Sequence, residues 1–378
     1  MSAPRAGTPE APDALVVGGG VAGLGAAWRL AQAGRRVALV ERGETGRGAS
    51  WAAAGMLAPA AEIGFDELDL YALGRASLAA WPAFARELEA ASGEVVGYSD
   101  AGTLVVADDR DSARALRRLF EFQTRHGVPV TWLSGAEAAD LEPALTSRIP
   151  AAVLSPEDHQ VDPRAVVRAL VAACRDAGVT FREGAEVASV RPGAAPEAVL
   201  AGGETLRAGV VVLAAGAWSG GVGGLEPAPP VRPVKGQALA LKMSAEVALT
   251  RVVRGPRAYL VPKADGRLVV GATSEDRGFS AALTAGGLYR VLEGAVRVAP
   301  GVEELEVVET WAGLRPASRD HAPILGRAAP GVVLATGAYR HGVLLLPEAS
   351  RLAAEAALAA LAGAPDPVPA PFAAARFA

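Results

Sequence analysis

The chain of 378 residues carries a single cysteine, Cys174. One thiol excludes an internal disulfide and any metal site built from several cysteines. Cys174 falls in the helical pattern 163–177, which favours a buried structural thiol. The four histidines, His126, His159, His321 and His341, are scattered without ligand spacing, so no metal is expected. No uninterrupted apolar run reaches transmembrane length, because charges or glycines break the Ala/Leu-rich segments. The opening residues MSAPRAGTPEAP hold no apolar core of signal-peptide length. Together these absences point to a soluble cytoplasmic protein with no membrane partner. Residues 1–11 and the proline-rich 365–378 read as tails. A formal net charge of −4 gives no electrostatic reason to expect nucleic acid or an anionic membrane.

What is present is a globular composition, 51% apolar and 21% charged, long enough for two or three domains. The most informative stretch runs from Ala14 to Glu41. Ala14 to Val17 is a short apolar run suited to a buried parallel strand. Gly18, Gly20 and Gly23 follow as G-x-G-x-x-G, the spacing for a tight turn, close backbone approach to a pyrophosphate and close packing of helix on strand. A helix from about Val21 to Gln32 would aim its N-terminal N–H groups at the phosphates, and Gly34 ends it. Val37 to Val40 give a second strand, after which Glu41 stands where an acid meets a ribose hydroxyl pair. A dinucleotide site follows, and this stretch leaves NAD and FAD both open.

Downstream, the loop RGETGRGASWAAAGMLAPAAE has the small side chains that let backbone lie against a flat ligand. Ser50 could offer a hydroxyl to a phosphate, and Ala52 to Met56 could pass beside a ring system. The spacing predicts helices over 65–91, 111–126, 163–177, 283–298 and 343–361. It predicts strands over 103–107, 187–190, 210–214, 237–241, 258–262, 267–272 and 332–335. The antiparallel alternation from Pro229 to about Thr310 breaks the βαβ regularity of the start and suggests a second, inserted domain.

Several segments together resemble one family: the N-terminal fingerprint, GASWAAAGMLAP (48–59), VDPR (161–164), VVVLAAGAWS (210–219), PVKGQ (233–237), YLVPK and GRLVVGAT (259–273), WAGLRPASRD (311–320) and GAYRHGVLLLP (337–347). The chain resembles the D-amino-acid oxidase superfamily of flavoproteins, and within it the glycine oxidases of thiamine biosynthesis. The resemblance implies non-covalent FAD rather than NAD. It also implies an α/β (α+β mixed) fold: a discontinuous Rossmann-like FAD-binding domain over 12–85, 150–228 and 308–364, with an antiparallel-sheet substrate domain over 86–149 and 229–307. It further implies oxidative deamination of glycine and similar small amines, with O2 as the second substrate and H2O2 as product. The glycine imine would serve the thiazole of thiamine. The family is often oligomeric, so a homo-oligomer is an expectation resting on the resemblance alone.

Position by position, the resemblance places Gly18, Gly20, Val21, Ala22 and Gly23 at the pyrophosphate turn, and Glu41 and Arg42 at the adenosine ribose. It places Ala49, Ser50, Ala54, Gly55 and Met56 along phosphates and ring, Val187 at the adenine through its main chain, and Gly216 in the cofactor site. Gly337, Ala338, Tyr339, Arg340, His341, Gly342, Val343 and Leu344 would wrap the isoalloxazine. Arg315, Arg340 and Tyr259 match the substrate positions. Two departures touch the substrate range: His341, where Asn is more usual, and Ser274, where a larger apolar residue can stand.

The residue chemistry agrees with these assignments. A planar guanidinium matches the two oxygens of a carboxylate, which suits Arg315, read in the turn Gly313 to Pro316. Arg340 would add a second positive charge, and the helix after it would point its positive end at the flavin C2=O. Tyr259 would donate a hydroxyl to the substrate. Lys235 reads as structural. No His, Asp or Glu stands out as an obligatory base, and hydride transfer from a neutral amine needs none. Two other readings compete: a sarcosine or D-amino-acid oxidase or dehydrogenase of broader taste, and a flavin redox sensor without turnover.

Overall fold

A computed structural model describes residues 11–377. Its first sheet has six strands in the order Ile324–Ala329, Val332–Thr336, Val210–Leu213, Ala14–Val17, Val37–Val40 and Thr180–Arg182. All neighbours are parallel except the Ile324–Ala329 edge. The strands Ala14–Val17 and Val210–Leu213 are apolar throughout because both faces are covered. The helices Val21–Gln32, Leu68–Ser92, Pro163–Asp176 and Leu346–Ala362 pack one face in a core centred on Trp28, Trp81 and Leu170. The small antiparallel sheet Val187–Arg191, Glu197–Leu200 and Thr205–Arg207 shields the other. Ala14 pairs with Val37 on one side and Val210 on the other, so the first strand's carboxyl end opens at a switch point of the sheet, where ligands collect.

The second sheet has eight strands in the order Val307–Ser318, Val231–Lys242, Arg267–Gly271, Tyr259–Pro262, Val252–Arg254, Thr103–Val106, Ala151–Ser155 and Thr131–Ser134. Its pairs are antiparallel except Val252–Arg254 with Thr103–Val106. Helix Ala285–Val298 covers one face through Val291, Ala295 and Val298, packed in one core with Leu239, Leu268 and Val270. The opposite face meets the segment 51–56: Trp311 donates Nε1–H to the Ala52 carbonyl at 3.0 Å, and Trp51 packs edge-on against Trp311. The Arg164 guanidinium lies over the Trp51 ring, 3.7 Å from its centre, and is paired with Glu309 at 2.7 Å. The small-residue loop is thereby clamped to the second sheet.

Four expectations are corrected. Arg315 does not stand in a turn: Val307–Ser318 is a twelve-residue strand paired with the equally long Val231–Lys242, with Arg315 opposite Val234. Prolines and glycines in both strands hide the alternation, and Pro316 is tolerated because its strand is the sheet edge. Second, Val307–Ser318 and Ala151–Ser155 belong to the second sheet, although the domain boundaries above assign 308–318 and Ala151–Ser155 to the first domain. Third, the last helix begins at Leu346 rather than Val343, with turns over the preceding residues. Fourth, 365–377 is not a loose tail. Phe372 and Val368 are buried in the main core, the Phe372 carbonyl accepts from Leu325 N–H at 2.8 Å, and Arg376 pairs with Asp320 at 2.8 Å. The N-terminal tail, up to residue 10, lies outside the described residues.

Helix Pro163–Asp176 does bury Cys174, whose Sγ–H points at the Leu24 carbonyl at 3.4 Å; burial pushes the thiol up to about 12. No described helix is long and apolar enough to cross a membrane.

Candidate active site

One continuous cavity of about 820 Å³ joins the fingerprint to the face of the second sheet. Its first end is built on backbone. Gly18 has φ +109°, and a Cβ there would stand 2.4 Å from the Ala214 carbonyl oxygen. A Cβ at Gly23 would stand 1.9 Å from the Gly18 oxygen, so Gly23 works beneath the turn and does not line the cavity. The Glu41 carboxylate accepts from Gly19 N–H at 2.8 Å and Gly43 N–H at 2.9 Å, tying the glycine turn to the loop after the second strand. Ser50 accepts from Val21 N–H at 3.0 Å, which ties the small-residue loop to the helix start. The Arg42 guanidinium lies 3.4 Å from the centre of the Trp218 ring; the sequence reading did not single out Trp218, which lines this end. A glycine cradle that side chains would fill, a helix N-terminus and an acid at the second strand's end suit a dinucleotide.

Ala22, Ala49, Ala54, Met56, Val187 and Gly216 also line the cavity. Gly55, at φ +85°, does too, and a Cβ there would meet the Val161 oxygen at 2.1 Å. The turn 337–342 closes the far end. Gly337 has φ +73°, and Tyr339 adopts φ +46°, rare for a side-chain-bearing residue, held by its N–H donating to the Pro316 carbonyl at 2.8 Å. Gly337, Ala338, Tyr339, Arg340, Gly342 and Val343 line the cavity, whereas His341 and Leu344 do not. The Leu344 carbonyl accepts from Ser77 Oγ at 2.8 Å and Trp81 Nε1 at 2.9 Å, so this residue anchors the turn to the long helix. His341 is buried behind the wall and accepts at Nε2 from Arg340 Nε at 3.2 Å. Burial pushes its pKa down to about 4, so the ring is neutral and this bond places its proton on Nδ1.

Arg315, Tyr259 and Arg340 all line this cavity. The Arg315 guanidinium lies flat over Gly236, where a Cβ would come within 2.5 Å of Nη2, and it donates to the Thr273 carbonyl at 3.1 Å. The Tyr259 hydroxyl lies over Gly271 in the same manner, within the influence of the Arg315 charge. Burial raises the Tyr259 pKa, with the Arg315 charge opposing, so the phenol stays protonated. Arg340 donates to the Glu62 carbonyl at 3.1 Å and pairs with Glu67 at 3.3 Å, so part of its charge is already balanced. Arg254 also lines the cavity and pairs with Glu62 at 3.2 Å. Among the described residues Arg315 has no carboxylate within 4.0 Å, which leaves its charge for a ligand.

Glu62 and Arg254 are the polar residues sequence reasoning missed. Glu62 is a lone acid in a small-residue loop, and Arg254 ends a three-residue strand. Lys235, by contrast, is buried away from the cavity, donating to the Ala282 carbonyl beside Glu275, a structural role. No cluster of three or more His, Cys, Asp or Glu that could hold a metal occurs among the described residues.

The glycine floor carries a first prediction. Gly236→Ala forces the Arg315 guanidinium off its seat, since the nearest atoms are the functional ones themselves. A roughly tenfold or greater rise in the KM for a carboxylate substrate is expected, with the flavin retained. Unchanged steady-state kinetics would contradict this geometry.

Comparison with known proteins gives a consistent picture. The family model described as FAD dependent oxidoreductase matches residues 13–356. The glycine oxidase of Geobacillus kaustophilus is 36% identical over 349 residues, covering 91% of this chain and 92% of that protein. Its crystal structure superposes with a TM-score of 0.87, covering 96% and 98% of the two chains. A Rhizobium etli protein bearing the provisional name thiamine biosynthesis oxidoreductase ThiO is 35% identical over 338 residues, 88% of this chain and 92% of that one. Iminodiacetate oxidase from Chelativorans sp. BNC1 superposes with a TM-score of 0.81 at 30% identity, covering 95% and 98%.

Proposed function

The chain belongs to the DAO family of FAD-dependent oxidoreductases, and within that family we propose that it oxidises glycine and similar small amines. The overall reaction would be glycine + O2 + H2O to glyoxylate + NH3 + H2O2, with FAD accepting the Cα hydrogen as a hydride, which carries both electrons of the Cα–H bond. The observation carrying this reading is Arg315, a cavity guanidinium without a carboxylate partner, at the end opposite the dinucleotide turn. Its planar fork takes the substrate carboxylate in a bidentate pair. Tyr259, protonated and already turned toward Arg315, donates to the same carboxylate. With the carboxylate fixed, Cα is held in one orientation, which supplies much of the rate through positioning. Arg340 stands on the substrate side, its charge tempered by Glu67.

Glycine is favoured over a substrate with two carboxylates because Arg254 and Arg340, the other guanidinium groups at this end, are already paired with Glu62 and Glu67. The name borne by the Rhizobium etli relative supports thiamine synthesis as the destination of the imine.

The deciding experiment is anaerobic. Glycine added to the yellow holoenzyme should bleach the flavin, and admitting O2 should restore the colour with one H2O2 per turnover. Bleaching by sarcosine or D-alanine but not glycine would move the assignment to another small amine. A flavin that no small amine bleaches would make the protein a redox sensor.

A further inference from the structure

Glu62 is a carboxylate nine-tenths buried on the wall of a cavity meant for an anionic substrate. Its side chain is 8% exposed, with Arg254 Nη1 at 3.2 Å from Oε1 and His341 Nδ1 at 3.7 Å from Oε2. Burial works to protonate it, but the facing charges of Arg254, Arg340 and Arg315 outweigh burial and hold it ionised.

The segment carrying Glu62 cannot swing away. Asp158, buried beneath it, accepts from Ala60 N–H at 3.1 Å and Ala61 N–H at 2.8 Å. Gln123 Nε2 donates to the Ala60 carbonyl at 2.9 Å, and Arg254 Nη1 to the Ala61 carbonyl at 2.9 Å. The guanidinium groups at this end of the cavity thus differ in standing: Arg315 is open to a ligand, Arg340 is partly balanced by Glu67, and Arg254 is locked.

We propose that Glu62 is a specificity-determining residue that occupies Arg254 and so restricts the site to amines bearing one carboxylate. The inference rests on the amine-oxidase reading. A second carboxylate on the amine nitrogen, as in iminodiacetate, would meet the Glu62 charge in place of a free guanidinium. Glu62→Gln removes that charge at constant size and opens Arg254 to such a group.

The test compares the wild type with Glu62→Gln and with the double variant Glu62→Gln/Arg254→Gln, all as holoenzymes. The kcat/KM for iminodiacetate relative to glycine should rise by about tenfold or more in the single variant, the worth of one charge-assisted pair. It should fall back in the double variant. A binding arm uses diglycolate, the ether analogue with no amine to oxidise, against glycolate, read by perturbation of flavin absorbance. In the wild type diglycolate should bind no more tightly than glycolate, and Glu62→Gln should tighten it by a similar factor. An unchanged substrate ratio, an equal rise in the double variant, or wild-type diglycolate binding tenfold tighter than glycolate would each overturn the proposal. The last comparison needs no variant to fold. Failure of glycine to bleach the wild-type flavin would instead count against the oxidase reading, while the diglycolate comparison would still be decided.

Discussion

Arg315→Ala should raise the KM for glycine at least about thirtyfold while the protein stays yellow. Truncating one partner of a desolvated charge pair costs about 2–5 kcal/mol, each 1.4 kcal/mol being tenfold. No neighbouring cation can substitute, since Arg254 is paired with Glu62 and Arg340 with Glu67. The fold should survive. Among the described residues the Arg315 side chain makes one hydrogen bond to backbone, to the Thr273 carbonyl, and its loss costs about 1 kcal/mol. The cofactor should survive as well, because the dinucleotide turn is built on the first sheet and Arg315 on the edge strand of the second. Binding made equally in ground and transition states moves KM alone, whereas lost orientation of Cα lowers kcat too. Arg315→Lys separates the two: a point charge restores part of the affinity without the planar fork, so KM should recover further than kcat. Rates from O2 uptake, set beside the flavin spectrum, read both. Kinetics indistinguishable from wild type would remove Arg315 from the site.

How much of this was legible beforehand depended on whether the signal was local. Strand, glycine turn, helix and second strand from Ala14 to Val40 stand where the spacing put them, because each is dictated within a few residues: apolar runs buried on both faces, and glycines where a side chain would strike backbone. The paired twelve-residue strands were half hidden. Their register links Val231 to Ser318 across the chain, and Pro233, Gly236, Gly313 and Pro316 erase the alternation that reveals a strand. Glu62 carried no signal at all, since its meaning comes from Arg254, and 193 residues separate Arg254 from Ala61. The resemblance could mark Arg315 and Arg340 as substrate residues; only the fold shows that one charge is open and the other partly balanced.

The second large effect belongs to the glycine turn after the first strand. Gly18→Ala should yield a folded but colourless protein whose affinity for FAD is lower by about a hundredfold or more. Two costs act together. At φ +109° an alanine is strained by about 1–3 kcal/mol. Its Cβ would also stand 2.4 Å from the Ala214 carbonyl oxygen and 2.8 Å from the carbonyl carbon, and backbone cannot yield as a side chain does. That carbonyl belongs to the residue just beyond the strand Val210–Leu213, which is buried on both faces, so relief must come from the turn itself. Moving the turn displaces Gly19 and Gly20, and with them the start of helix Val21–Gln32, the positive dipole end that would favour a pyrophosphate. The strands flanking the turn keep their pairing, so the loss falls on the cofactor before the fold. Titrating apoprotein with FAD by flavin fluorescence, alongside thermal unfolding with and without FAD, separates the two. A Gly18→Ala protein that purifies yellow at the wild-type flavin content would show that the pyrophosphate does not depend on this turn.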